Sequence, residues 1–419
     1  MMEPKNVMIG TRKLNYYRIV YPKGHAMEQY LAEELSRRLF ALIGENLKVV
    51  ADEDTTWSNS EICMGKTCRT RITPDGKNTY KILVDYARIE IVSDTVFGYE
   101  DAFAALLAKL EAEGDVLFEE GECMTGEVIY PVVETPLGQY SFMFHNVWGY
   151  TIKWNPLCNR GDLMLEIYRQ YMPDIIGMQE VSNPHYEQAH FVFEGLEKLG
   201  YEEIRFRRYG YGNPIYFNTR KLYPIECGYQ NARIGGDKNH TWAIFCDRLT
   251  NRPVFAVVNS HFCADSNAKQ DPVLGNEYRT ADAVQMVKTV EMIQARYPGL
   301  PVITGGDYNS ATGSDPINAL MEGKMVNVRD LAEKVTPISP YDAPKYLAEE
   351  DRYEYRPEPR RTPAQYSIDH IMTYGPTKDS ITFHEYKVMI DRLSFLASDH
   401  NPHVLYASFA PWDGEVKMN

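Results

Sequence analysis

The chain has 419 residues, 44% of them hydrophobic and 24% charged, and carries a net charge of −14 at neutral pH. That length exceeds one ordinary domain and predicts two or three, with enough apolar residues for a large core. The acidity excludes a global basic field for gathering polyanions, and no apolar run approaches the roughly 20 residues that span a bilayer.

The first residues, Met1 to Lys13, are polar and lack the apolar region of a signal peptide. The expected location is therefore cytoplasmic, or secreted if a leader has been removed. Tyr17 to Tyr21 (YRIVY) is a short β-rich run, broken by Pro22-Lys23-Gly24. Met27, Leu31, Leu35, Leu39 and Leu42 recur at helical spacing and predict a helix over Ala26 to Leu42. Leu47 to Val50 and Glu61 to Met64 read as strands, and Lys81 to Val92 as a hairpin turning near Tyr86-Ala87. Tyr99 to Leu110 is an amphipathic helix ended by Gly114. Cys123 to Pro136, interspersed with Gly, Pro and Thr, reads as a connection, so residues 1–136 and 137–419 are expected as two domains. Seven cysteines (Cys63, Cys68, Cys123, Cys158, Cys227, Cys246 and Cys263) form no Cys-x-x-Cys pair and are expected to be reduced thiols.

The first region contains YRIVYPKG, a helix with AEEL, NSEICMG, then a strand pair and a final helix. This order resembles the small α/β domain at the N-terminus of bacterial glycoside hydrolases of the α-glucuronidase and hexosaminidase type. The resemblance covers about a quarter of the chain and implies an accessory role.

From Tyr140 onward short apolar strands alternate with helices. Strands are expected at Ser141 to Phe144, Ile175 to Met178, Ile215 to Phe217, Ala243 to Cys246, Val254 to Asn259, Pro301 to Thr304, Ile368 to Thr373 and Val404 to Ser408. Helices are expected at Asp162 to Tyr171, Phe191 to Leu199 and Thr280 to Tyr297, the last starting at a threonine cap. This pattern predicts two sheets flanked by helices. Pro337 to Pro363, rich in Pro, Tyr, Arg and Glu, is too broken for regular structure.

Polar residues stand at the ends of these apolar strands, where side chains converge on one cleft. They are Asn146, Gln179-Glu180, Asn259 with His261, Asp307 with Asn309, Asp369-His370 and Asp399-His400. Singly each has an ordinary reading. Glu180 could be a surface carboxylate, His261 a core histidine, and Gly305-Gly306-Asp307 a turn. Together they match one reaction. Cleaving a phosphate ester needs a cation on the phosphoryl oxygens, a base for the attacking water and donors for developing charge. Glu180 is a hard ligand suited to Mg²⁺ or Mn²⁺, and Asp307, Asp369 and Asp399 could orient water or a histidine. Asn146, Asn309 and His261 could bond phosphate oxygens, and His400 titrates near neutral pH.

The ordered set Asn146, Gln179-Glu180, Asn259-x-His261, Gly306-Asp307-x-Asn309, Asp369-His370, Ser398-Asp399-His400 resembles the endonuclease/exonuclease/phosphatase superfamily. This includes deoxyribonuclease I, repair nucleases, neutral sphingomyelinases, inositol-phosphate phosphatases and deadenylases. The resemblance spans about 270 residues and implies an α/β four-layer sandwich of two mixed β-sheets between helices. It further implies Glu180 as main metal ligand, with Asn146 and Asp399 beside it. It implies Asp307 and Asn309 on water and phosphate, and His261 on the phosphate or leaving oxygen. His400 is the implied base, assisted by Asp369 or Asp399, and Arg279 is a substrate contact before a helix. Trp148 stands where repair nucleases carry a metal-holding Asp, which turns the reading from a two-metal or abasic-site nuclease; NSHF in place of the commoner NTHL is a small change.

The expected activity is metal-dependent hydrolysis of a small or headgroup-like phosphate ester. A nuclease is the alternative, and an inactive carbohydrate-associated binding protein a further one. The basic groups Arg205, Arg207, Arg208 and Arg356, Arg360, Arg361 form two short clusters diluted by Tyr or Glu rather than a stripe. The segment before Asp369 could wall a pocket, with Tyr341, Tyr346, Tyr353 or Tyr355 on the ligand. No protein partner is indicated.

Overall fold

The computed structural model describes residues 5–417, apart from 24, 76–78, 86–87, 94–95, 112–114, 128–137, 150–159, 182–189, 205, 207–212, 232–237, 270, 338–344, 348–351 and 355–362. The hairpin turn at Tyr86-Ala87, the helix end at Gly114, Cys158 and both arginine clusters fall outside the described residues. So do Tyr209, Tyr211, Tyr341 and Tyr355. The chain divides into two compact units, Met1–Val132 and Val133–Asn419.

The first unit contains β1 (Val7–Ile9), β2 (Arg12–Lys13), β3 (Arg18–Tyr21), α1 (Ala26–Ile43), β4 (Lys48–Ala51), β5 (Glu61–Met64), β6 (Thr79–Asp85) and β7 (Arg88–Ser93). It continues with α2 (Val96–Glu111), β8 (Val116–Phe118) and β9 (Cys123–Glu127). A six-stranded sheet runs β4-β3-β5-β7-β6-β9, and β2-β1-β8 form a smaller one. Leu31, Leu35 and Leu39 of α1 are fully buried, as their four-residue spacing requires. Gly44, at φ +74°, closes that helix in the left-handed conformation. One expectation fails here. Cys123 to Glu127 is not a connection but an edge strand, antiparallel to β6 from Leu83↔Cys123 to Thr79↔Glu127. Its polar residues are half exposed on a sheet edge, so no apolar alternation betrays it.

The second unit opens with β10 (Gln139–Asn146), α3 (Gly161–Tyr171), β11 (Ile175–Gln179), α4 (His190–Lys198), β12 (Tyr201–Ile204), β13 (Ile215–Asn218) and β14 (Leu222–Asn231). Next come β15 (Asn239–Asp247), β16 (Arg252–His261), α5 (Pro272–Arg296), β17 (Val302–Asp307), α6 (Asp315–Glu322), β18 (Met325–Asn327) and β19 (Lys334–Val335). The last are β20 (Lys345–Leu347), β21 (Arg352–Glu354), β22 (Asp369–Tyr374), β23 (Ile381–Val388), α7 (Arg392–Ala397) and β24 (His403–Phe409).

Two mixed sheets dominate, ordered β12-β13-β11-β10-β24-β23-β19 and β14-β15-β16-β17-β22-β18. Phe142, Phe144, Ile175, Phe217 and Leu405 of one sheet meet Phe245, Phe255, Val257, Ile303 and Ile371 of the other in a single apolar core. The opposite face of the second sheet packs on α5 and α6 through Met286, Val290, Ile293, Ile317 and Leu320. Behind the first sheet, Tyr168 of α3 bonds His145 of β10. The result is the expected α/β arrangement of two mixed sheets flanked by helices.

Three local expectations need correction. Helix α5 starts two turns before Thr280. Asp271 is its cap, its side chain accepting from the N–H groups of Val273 and Leu274, with Pro272 at the first turn. Gly275 and the exposed Val273 had broken the apolar period there. The Pro337–Pro363 segment holds a strand pair, β20 with β21, in register Lys345↔Glu354. Gly305 and Gly306 belong to β17 rather than to a turn. A Cβ on Gly306, at φ +132°, would lie 2.0 Å from the carbonyl oxygen of Ser260, so only glycine fits this backbone. Among the described residues no helix is long and apolar enough to cross a membrane.

Candidate active site

Strand register gathers the polar residues at one end of the sandwich. In the second sheet β16 and β17 run parallel with His261 opposite Asp307, and β22 returns antiparallel with Asp369 opposite Asp307. His261, Asp307 and Asp369 therefore stand in one row. In the first sheet the parallel pair β10 and β11 sets Asn146 opposite Gln179, and Glu180 follows immediately. Gln179 and Asn259 close the gap between sheets, the amide of Gln179 donating to Asn259 Oδ1 at 2.6 Å. Asn259 also donates to the carbonyls of Met178 and Pro214. Both side chains are structural ties beneath the cluster.

Asp307 is the hub. Its Oδ2 lies 3.0 Å from Asn146 Nδ2, 3.3 Å from Asn309 Nδ2, 3.3 Å from His261 Nε2 and 3.8 Å from His400 Nε2. Its Oδ1 accepts from the Asn309 N–H at 2.8 Å. Burial pushes this carboxyl up, but His400, His261 and Lys238 more than reverse that and hold it well below the usual carboxylate range.

His400 sits in the loop joining α7 to β24. Its Nδ1 is 2.8 Å from Asp369 Oδ2. Burial alone would depress the imidazole, yet the carboxylates of Asp369 and Asp307, then Asp399, hold its pKa well above the usual histidine value. Asp369 is itself raised, burial outweighing the pull of His400. Of the two carboxylates expected beside His400, Asp369 makes the hydrogen bond. Asp399 is pushed up to about 7 by burial, which His400 opposes and Glu180 reinforces.

Two groups of metal-competent side chains are present among the described residues, Glu180–His261–Asp307 and Asp307–Asp369–His400, each with ligand atoms within 4.8 Å of one another. Glu180 Oε2 is buried without a hydrogen-bond partner. An orphaned carboxylate oxygen beside a second ionised carboxylate is hard, anionic and uncompensated, so the set fits Mg²⁺ or Mn²⁺. Asn146 is arranged differently from the expected metal ligand. Its Nδ2 donates to Glu180 Oε1 at 3.1 Å as well as to Asp307, while its Oδ1 accepts from the Trp148 N–H. It offers the carboxylates donors rather than a lone pair. Asp399 belongs to neither group.

Arg279 is also placed otherwise than expected. It lies within α5, and its Nη1 pairs with Asp265 Oδ1 at 2.6 Å. It is a brace for the segment after His261.

Backbone strain concentrates here. Trp148, Glu180 and Asn309 have φ of +52°, +63° and +48°, a region non-glycine residues occupy at a cost. Gly149 permits one of these turns, since a Cβ there would lie 1.9 Å from the Glu180 carbonyl oxygen.

Two buried cations escaped the sequence reading. Arg160, fully buried, donates from Nη1 to the carbonyls of Val147 and Ala397 and from Nη2 to that of Trp148. It joins the segment after Asn146 to the one before His400. Lys238 is 4% exposed, with Nζ 3.2 Å from His261 Nδ1. Neither lies at the end of an apolar run, which was the signal that found the others.

The model of the Endonuclease/Exonuclease/phosphatase family matches residues 143–400. Similar solved structures include an endonuclease/exonuclease/phosphatase from Bacteroides vulgatus, at 20% identity, covering 65% of this chain and 99% of that one with a TM-score of 0.49. A family protein from Bacteroides thetaiotaomicron aligns at 17% identity over 65% of this chain and 98% of its own, TM-score 0.50. A mannosyl-6-phosphatase from Bacteroides thetaiotaomicron aligns at 18% identity over 64% of this chain and 100% of its own, TM-score 0.50. No curated protein sequence matches the chain.

Proposed function

Because the chain belongs to the Endonuclease/Exonuclease/phosphatase family, we propose that it hydrolyses a phosphate ester with Mg²⁺ or Mn²⁺ at the cluster around Asp307. The observation that carries this reading is the position of Asp307. It stands between Glu180, with its orphaned oxygen, and the His400–Asp369 pair.

Glu180 and Asp307 would hold the cation. When bound, it polarises the phosphoryl oxygens and offsets charge developing in the transition state. The remaining work falls to side chains. His400 takes the proton of the attacking water at Nε2, its ring fixed by Asp369 at Nδ1 and its positive charge stabilised by both aspartates. Asn309 and Asn146 point amide hydrogens at Asp307 in the resting cluster, and the same hydrogens serve a phosphoryl oxygen or the attacking water. His261, whose Nε2 faces Asp307 Oδ2 at 3.3 Å, serves the phosphate or leaving oxygen. A carboxylate ringed by donors is thus a preorganised seat for a second anion.

The substrate we assign is small or headgroup-like. Support comes from the net charge of −14, which repels a polyanion needing many phosphate contacts. The mannosyl-6-phosphatase of similar fold is named for a small phosphorylated sugar. The first unit is assigned an accessory role, since both metal-competent groups among the described residues lie in the second. The test compares kcat/KM in Mg²⁺ for small phosphomonoesters, phosphodiesters and sphingomyelin with that for single- and double-stranded DNA and RNA. The best rates belong to a small ester. A nucleic acid as best substrate, with steep salt dependence, would replace this assignment with a nuclease.

A further inference from the structure

We propose that His370 is a positioning residue, its imidazole fixing the turn that carries Asn309 so that the Asn309 amide meets a phosphoryl oxygen. This rests on the phosphate-ester reading of the same site.

Successive residues of a strand face opposite sides of a sheet. At the start of β22, Asp369 bonds His400 on the cleft side, and His370 stacks on Tyr308 on the other. His370 Nε2 lies 2.7 Å from the Ser310 carbonyl oxygen, and its Nδ1 lies 3.5 Å from Asn327 Nδ2. A carbonyl oxygen only accepts, so Nε2 carries the proton and Nδ1 accepts from the Asn327 amide. One neutral tautomer therefore serves both neighbours.

Asn309 sits in the left-handed region at φ +48°, and its neighbours on both sides are tied down. Before it, Tyr308 is fully buried, its ring between Phe262 at 4.5 Å and His370 at 5.6 Å. The Tyr308 hydroxyl meets Thr304 Oγ1 at 2.9 Å, and its N–H donates to the Ile368 carbonyl. After it comes the Ser310 carbonyl, held by His370. A strained residue persists only where its surroundings over-determine it, and His370 contributes to both anchors. The Asn309 amide is thereby aimed at Asp307 Oδ2 and the Phe262 carbonyl, at 3.3 and 3.1 Å. Glu180 follows β11, and Asp307 is seated by the pairing of β17 with β16 and β22. The residues assigned to the metal therefore stay in place when the turn beyond them loosens.

The test is a double-mutant cycle. For the wild type, His370→Phe, Asn309→Ala and the double variant, kcat, KM, melting temperature and Mn²⁺ affinity by electron paramagnetic resonance are measured. His370→Phe keeps a stacked ring and removes the donor. It is expected to lower kcat about tenfold, since small misplacements of a catalytic group are costly. KM and Mn²⁺ affinity should stay within about threefold, as for an interaction made mainly in the transition state. In the Asn309→Ala background the same substitution should cost less than about twofold more, because the residue it acts through is gone. His370→Gln returns an amide donor toward Ser310 and should recover most of the loss. If His370→Phe does not fold, His370→Asn, whose shorter side chain ends near the place of Nδ1, carries the same cycle. An equal loss of kcat with and without the Asn309 amide would overturn the inference and make His370 a structural prop. So would a lowered melting temperature with kcat unchanged. In both cases the metal-dependent reading stands, since wild-type turnover still requires Mg²⁺. A wild type that cleaves no phosphate ester in Mg²⁺ or Mn²⁺ would overturn the reading of the site, and this inference with it.

Discussion

Nδ1 of His400 and Oδ2 of Asp369 lie 2.8 Å apart, bringing the loop after α7 against the start of β22. That bond has a kinetic consequence. The carboxylates around His400 hold its pKa well above 6.5, and a base must be deprotonated to act. Activity should therefore rise with pH, and the midpoint of the acid limb should lie above the ordinary histidine value. Asp369→Asn removes the largest of the charges that raise it and leaves the desolvation that lowers it. Its acid limb should move down in pH while the plateau falls on the order of 10²-fold, within the ~10²–10⁴ expected of a general base. His400→Ala should lose at least as much. Profiles of kcat/KM against pH for the three proteins decide the matter. An unshifted limb in Asp369→Asn would detach Asp369 from the base.

Glu180 should make activity and metal-induced stability disappear together. Glu180→Gln is expected to lower metal-dependent turnover on the order of 10²–10³-fold, equivalent to the loss of several kcal/mol of charge stabilisation. Its fold should survive, since the orphaned oxygen contributes repulsion rather than a bond. In EDTA the variant should melt no lower than the wild type. Added Mg²⁺ should raise the wild-type melting temperature by mass action and leave the variant unmoved. A Mg²⁺-dependent shift retained by Glu180→Gln would show that the metal is held elsewhere.

Part of this candidate site was legible because several of its side chains stand at the ends of buried strands, where they face the cleft. Glu180, His261 and Asp307 end or follow strands β11, β16 and β17 as that pattern demands, whereas Asp369 begins β22 and His400 lies in the loop after a helix. Arg279 was suggested by the resemblance rather than by this pattern, and the Gly275 interruption concealed the two turns of α5 that set it inside the helix, paired with Asp265. Asn259 and Gln179 carried the right signal for the wrong reason, as ties between sheets. Edge strands were illegible for another cause. The ten residues of β14 alternate irregularly in exposure around a bulge at Pro224/Glu226, so period-two patterning never forms. Lys238 and Arg160 had no periodic signal because their roles depend on which chain segments happen to meet around them.

Four histidines should make the protein acid-labile. His145, His240, His370 and His403 are buried, with ring nitrogens bonded to Tyr168, Ser260, the Ser310 carbonyl and Tyr386 respectively. Burial lowers them to about 3, about 4, about 4 and well below 6.5 in that order. For a lowered histidine the unfolded chain takes up its proton near pH 6.5 and the folded one does not. Stability is then complete above that pH and declines as pH falls toward the folded value, each group adding about 1.4 kcal/mol per unit to the slope. His400 has the opposite sign: its contribution is present below 6.5 and is lost as pH rises through its raised value. Thermal melts should therefore show the melting temperature dropping steeply between pH 6.5 and 4.5. A flat profile over that interval would mean these imidazoles are protonated in the fold.

Arg160 should control the alignment of the two halves of the site without touching either metal ligand. Its guanidinium spans the carbonyls of Val147, Trp148 and Ala397 and lies over the Trp148 ring at 5.0 Å. The first two carbonyls follow Asn146, and the third precedes Ser398, Asp399 and His400. A planar fork can serve three acceptors at once, whereas an ammonium offers one point of charge. Arg160→Lys should therefore leave at least one buried carbonyl unsatisfied, costing about 1–3 kcal/mol and a measurable drop in melting temperature. The functional effect should be larger on kcat than on metal binding. Glu180 and Asp307 sit on or just beyond other strands, so Mn²⁺ affinity should stay within about threefold of wild type. Turnover should fall roughly tenfold or more as His400 loses register with the bound phosphate, since small misplacements of a catalytic group are costly. If Arg160→Lys weakened Mn²⁺ binding as much as turnover, the arginine would be supporting the whole cluster. If it lowered stability with kcat unchanged, the tie between the two segments would be structural alone.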